Sequence, residues 1–106
     1  MKGDRLGEFE EFALLAVCAL REQVYGVPVQ RFVESATGRR VAMGAVYAAL
    51  ARLEDKGFVR SEMGEPIAQR GGKPKRLYHV TPLGLRTARE LRRVREKIWD
   101  AIEGRS

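Results

Sequence analysis

Four cationic side chains, Arg70, Lys73, Lys75 and Arg76, lie between Ile67 and His79 with no acidic residue among them. Gly71, Gly72 and Pro74 are interleaved with them, and a short Leu77-Tyr-His-Val80 strand signal follows. Lysine and arginine without counter-charges are suited to neutralising phosphates, because each phosphate neutralised releases a condensed counterion. A charged turn is ordinarily just a solvated hairpin tip. Four cations and no acid favour the backbone of a polyanion instead.

No bond-making constellation accompanies this loop. His79 is the single histidine and Cys18 the single cysteine, and neither has carboxylates at ligand spacing, so no metal site is expected. Ser35 and Ser61 have no visible base, and no glycine-rich phosphate loop stands between a strand and a helix. Cys18 sits inside the apolar run Phe12–Leu20 and reads as a small buried hydrophobe. No catalytic residue and no cofactor are expected, and the chain does not read as an enzyme. One cysteine builds no disulfide framework and suits a reducing compartment. The apolar run is far shorter than the ~20 residues of a membrane span. Glu8, Glu10 and Glu11 before it carry the wrong sign for a secretory leader. A cytoplasmic protein with no membrane partner is expected.

The elements that must hold the basic loop are legible in the periodicity. A chain of 106 residues, 44% hydrophobic and 32% charged, makes one domain with one modest core. Its net charge of +6 favours a polyanionic partner, yet residues 1–26 carry three Lys or Arg against five Asp or Glu. Glu8 to Gln23 reads as a first helix, with Gly26 as its stop. Val27-Pro28 opens a second, whose apolar face is Val29, Phe32 and Val33 and which Thr37-Gly38 ends. A third runs from about Ala42 to Lys56 and stops at Gly57. Phe58–Met63 and Arg76–Val80 read as strands, and Thr81 caps a last helix that has Pro82 in its first turn and reaches about Glu103. The fold class is therefore α+β, mainly α. It is a winged helix-turn-helix of three helices and a two-stranded wing over residues 1–81, with a C-terminal dimerisation helix over 82–106.

Two helix faces carry the functional reading. The third helix has a core stripe of Val46, Ala49, Leu50 and Leu53, and its opposite face holds Gly44, Ala48 and Ala51. Alanine is the best helix former, which alone could explain it. Small residues also let a helix backbone approach another surface closely, as entry into a DNA major groove requires. The last helix carries an apolar stripe of Ala88, Leu91, Val94, Ile98, Ala101 and Ile102, with Trp99 at its edge. Such a stripe pairs across a two-fold axis or folds back on its own domain, and the first helix is its natural packing surface. Trp99 reads as an interface anchor with Arg95 one turn away for a cation–π contact.

The segments Gly44-Ala-Val-Tyr47, Leu50-Ala-Arg-Leu-Glu-Asp-Lys-Gly57 and Gly71-Gly-Lys-Pro-Lys-Arg-Leu-Tyr-His-Val-Thr-Pro-Leu-Gly84 resemble the PadR family of bacterial transcriptional regulators. The resemblance spans about residues 7 to 103 and is closest to the short members with one helix after the wing. It implies a homodimeric repressor on a palindromic operator in double-stranded DNA. Carried onto this chain, it assigns the reading helix and its approach to Arg39, Arg40, Ala42, Met43, Gly44, Ala45 and Tyr47. It assigns the wing to Arg70, Gly71, Gly72, Lys73, Pro74, Lys75 and Arg76. Many members have hydroxyl residues where Ala42 and Ala45 stand here, which leaves Arg39, Arg40 and the Tyr47 hydroxyl as phosphate contacts. The dimer interface is expected at Leu91, Val94, Ile98, Trp99, Ala101 and Ile102, and the resemblance adds a small flat aromatic effector at Trp99. The competing reading is a winged-helix module that docks a protein and reads no DNA.

Overall fold

The computed structural model describes residues 6–65 and 74–104. In chain order these form α1 (Glu8–Leu20), α2 (Gly26–Thr37), α3 (Met43–Asp55), β1 (Val59–Met63), β2 (Arg76–Val80) and α4 (Pro82–Ile102). The two strands pair antiparallel, with Val59 opposite Val80, Ser61 opposite Tyr78 and Met63 opposite Arg76. This is a mainly helical winged helix-turn-helix with one long extra helix.

The core sits where the first three helices meet the sheet. Leu14 and Val17 of α1, Val29 and Val33 of α2, and Val46, Leu50 and Leu53 of α3 close on Phe58, Val59 and Tyr78. Each such aliphatic side chain contributes about 1.5–3 kcal/mol through its removal from water. The α3 stripe is the one its spacing predicts. Two expectations about the core need correction. Phe32 is exposed rather than part of the α2 core face. Cys18 is only partly buried; that burial pushes its thiol up, away from the reactive thiolate.

The end of α1 also departs from its pattern. The helix stops at Leu20, Arg21 and Gln23 take positive φ of 66° and 54°, and Gly26 begins α2 rather than ending α1. The cause is a backbone tie. Val24 is buried, and its carbonyl accepts a hydrogen bond from the Tyr78 N–H at 2.8 Å, so the connection runs beside β2. Side-chain periodicity does not register such a bond.

The turn between α2 and α3 is held by α2 side chains. After the left-handed Gly38, the Val41 N–H donates to the Glu34 carboxylate at 2.8 Å and the Val41 carbonyl accepts from Gln30 Nε2 at 2.8 Å. Both backbone groups of Val41 are thereby satisfied, which fixes the approach to α3.

At the other end of α3, Glu10 of α1 accepts from Arg52 Nε at 2.6 Å and from Lys56 Nζ at 2.9 Å. Desolvation is the largest single influence on Glu10 and pushes its carboxyl up. The hydrogen bonds from Lys56 and Arg52, with the Lys56 charge, outweigh it and hold Glu10 below its ordinary 4.5. A folded-state pKa below the unfolded one gives stability that is present above 4.5 and is lost as pH falls through the folded value. Urea denaturation of the wild type should therefore show falling stability below pH 4.5, and Glu10→Gln should flatten that fall while lowering stability at pH 7. Parallel pH profiles for the two proteins would contradict the assignment.

The joint into α4 is closely packed. The Thr81 hydroxyl accepts from the Gly84 N–H at 3.0 Å and donates to the Gly57 carbonyl at 2.7 Å. The Thr81 N–H donates to the Phe58 carbonyl at 3.1 Å. Gly84 passes so close to that carbonyl that a Cβ would lie 2.0 Å from its oxygen. Beyond the joint, Ala88 is buried and Leu91 half-buried, but every residue from Arg92 to Trp99 is exposed.

Candidate nucleic-acid interface

The start of α3 presents backbone rather than side chains. Ala42 stands at the N-cap with no side-chain capping bond. Gly44, Ala45, Ala48 and Ala51 are all exposed, and a Cβ at Gly44 would meet nothing within 4 Å. Met43 is half-buried. Tyr47 is 53% exposed, and its ring lies against the first residue of α2. A Cβ at Gly26 would fall 2.7 Å from Tyr47 Cε1, 2.8 Å from its hydroxyl oxygen and 2.9 Å from Met43 Cε. Gly26 thus makes room for the Tyr47 ring, a contact its place in the sequence does not betray.

Cations flank this face. Arg39 and Arg40 are exposed in the turn before α3. Arg39 is 3.9 Å from Glu8, but both side chains are solvated and such a pair is worth little. At the base of the wing, Pro74 is exposed and the Lys75 ammonium stands 5.5 Å from the centroid of the Tyr25 ring. That cation–π contact, with Tyr25, replaces the expected one between Arg95 and Trp99, because the Arg95 guanidinium is engaged by Glu11. Arg76 donates to Ser61 Oγ at 3.0 Å, and Ser61 donates to Glu54 at 2.7 Å, so a polar relay joins the wing strand to the end of α3. Burial and the neighbouring Glu54 push the Tyr78 phenol up, which keeps it neutral beside this relay. The expected wing residues Arg70, Gly71, Gly72 and Lys73 lie outside the described residues.

His79 sits on the outer face of the sheet with Nε2 2.9 Å from Glu62. Among the described residues no three His, Cys, Asp or Glu side chains gather as a metal ion would need. Among them, too, no helix is long and apolar enough to cross a membrane. The predicted α4 stripe is largely in water. Leu91 is half-buried, Val94, Ile98, Trp99, Ala101 and Ile102 are exposed, and Ile102 reaches 65%.

A helix-turn-helix with an exposed small-residue face, a basic approach and a wing is architecture shared by many regulators. The family profile of the PadR-like transcriptional regulators matches residues 14–90, from α1 into α4. The chain belongs to the PadR-like family. Solved structures agree in fold. A PadR-like transcriptional regulator from Bacillus cereus superposes with a TM-score of 0.72 at 19% identity, over 91% of this chain and 88% of that one. A PadR family transcriptional regulator from Eggerthella lenta gives 0.69 at 26% identity, over 92% and 84%. A curated relative, an uncharacterised 37.1 kDa protein in transposon TN4556 of Streptomyces fradiae, is 35% identical over 72 residues. The match spans 67% of this chain but 19% of that protein. The PadR-like family is one of transcriptional regulators, which are not enzymes.

Proposed function

We propose that this PadR-like regulator is a homodimeric repressor that binds a palindromic operator. The observation that carries the reading is the exposed face of α3, where Gly44, Ala45 and Ala48 leave the backbone bare beyond the exposed Arg39-Arg40 turn. Such a face fits a major groove. Ala42, Met43 and Ala45 offer few hydrogen bonds, so thymine-methyl contacts and DNA shape supply much of the specificity. Arg39, Arg40, the Tyr47 hydroxyl, and Arg70, Lys73, Lys75 and Arg76 hold phosphates and set the register.

The α4 stripe is the dimer surface in this reading. Leu91, Val94, Ile98, Trp99, Ala101 and Ile102 meet their copies across a two-fold axis, so two reading heads face successive grooves. Repression follows from occupying promoter DNA. Trp99, 56% exposed, would meet its copy near the axis and form a slot for a flat aromatic effector.

Salt dependence tests the DNA reading. The logarithm of affinity should fall linearly with the logarithm of salt concentration, and Lys73→Ala with Lys75→Ala should reduce the slope by about two. A flat salt response in the wild type would favour protein docking instead.

A further inference from the structure

Among the described residues, Glu11 alone is both charged and buried, at 7% exposed. Its two carboxylate oxygens are both engaged by one partner: Oε2 accepts from Arg95 Nε at 3.0 Å and Oε1 accepts from Arg95 Nη2. An arginine fork on a carboxylate fixes orientation as well as distance. Only the Glu11 side of the pair is buried, since the Arg95 side chain is 58% exposed, so the pair adds little net stability. The best-attested use of such pairs is to set a register. The register available here is that of α4 against α1.

Two points define the line of a helix. The first is Gly84, seated under the Phe58 carbonyl. Arg95 lies eleven residues further along, roughly 16 Å at the helical rise. Around it the helix is otherwise in water, since every residue from Arg92 to Trp99 is exposed. The neighbouring pairs, Arg92 with Glu96 and Arg93 with Glu90, stay within α4, whereas Arg95 reaches α1. Gly84 and the Thr81 hydrogen bonds hold the start of α4, but apolar contact at Ala88 and Leu91 is non-directional and permits its far end to swing. The fork does not.

We infer that the Glu11–Arg95 fork is a specificity-determining lock: it fixes the direction of α4 against the reading head, and so sets the half-site spacing that the dimer accepts. The inference rests on the dimeric DNA-binding reading above. Glu11 and Arg95 are positioning residues, because neither lies on the α3 face or the wing. One base pair added between half-sites moves them by about 3.4 Å and turns them by about 35°, since ten to ten and a half pairs make a turn. A locked dimer cannot follow that change, whereas one whose α4 is free to swing can.

The test uses the full chain and a palindromic duplex that the wild type enriches from random DNA, with derivatives one base pair longer or shorter at the centre. Wild type should prefer its own spacing by at least tenfold. Glu11→Gln keeps the shape and loses one acceptor; Arg95→Lys keeps the charge and loses the fork. Both should prefer the original spacing less than threefold, with the salt slope unchanged because phosphate contacts are untouched. Spin labels at Ala36→Cys in a Cys18→Ser background should report a narrow inter-subunit distance in the DNA-free dimer and a broad one in Arg95→Lys. Variants that keep the full spacing preference and the narrow distance, whatever their melting temperature, would overturn the lock. A wild type with no preferred spacing would instead count against the dimeric reading itself.

Discussion

Gly84→Ala should destabilise the protein by about 3 kcal/mol, lowering its melting temperature by roughly 15 °C. The sign is what makes this informative, because alanine within a helix ordinarily stabilises relative to glycine. At Gly84 the added methyl would lie 2.0 Å from the Phe58 carbonyl oxygen and 3.0 Å from Val80 Cγ2. Backbone, not a flexible side-chain tip, is in the way. Relief requires moving α4 off Phe58 and β2, which breaks the Thr81 hydrogen bonds to Gly57 and Phe58. A loss of this size is a large share of the ~5–15 kcal/mol that holds a domain of this kind together. A circular-dichroism melt decides it, and a wild-type transition in Gly84→Ala would refute the close packing of the joint.

Gly44→Glu should have the opposite profile. DNA affinity falls at least about 100-fold, or roughly 2.7 kcal/mol, while folding stability stays at or above the wild-type level. Nothing lies within 4 Å of a Cβ at Gly44, its φ is helical, and it sits in the first turn of α3. A side chain there therefore costs the fold nothing, and Gly44→Ala should stabilise by about 0.5 kcal/mol. With α3 in a major groove, as proposed, the same position would become crowded, and a carboxylate would bring like charge to phosphate. Fluorescence anisotropy on a labelled duplex, read beside a thermal melt, separates the two effects. If Gly44→Glu bound DNA like the wild type, α3 would not be the reading helix.

These two glycines mark how far the residues alone could be read. The α3 stripe of Val46, Ala49, Leu50 and Leu53, the Thr81-Pro82 start of α4 and the span of β2 follow from local rules, and the fold confirms them. Spacing also distinguishes the bare face of α3 from its core face. Contacts between distant segments leave no such trace. Glu11 and Arg95 are 84 positions apart, and each reads in sequence as an ordinary surface charge on an amphipathic helix. Tyr25 reads as part of a helix end, yet it comes to lie under Lys75 because Val24 is drawn alongside Tyr78. Gln30 and Glu34 lie one turn apart on α2, and that they hold Val41 follows only once the turn is folded. The residues whose roles depend on backbone approach, Gly26 and Gly84, are the hardest to find from composition or period.

The proposed function turns on two copies of this chain reading DNA as a symmetric pair. Selection of bound duplexes from a random pool by the full chain, followed by sequencing, measures it directly. A symmetric dimer should enrich an inverted repeat whose half-site centres are about one helical turn apart, ~10 base pairs. Enrichment of a single unrepeated site, or of no sequence at all, would contradict it.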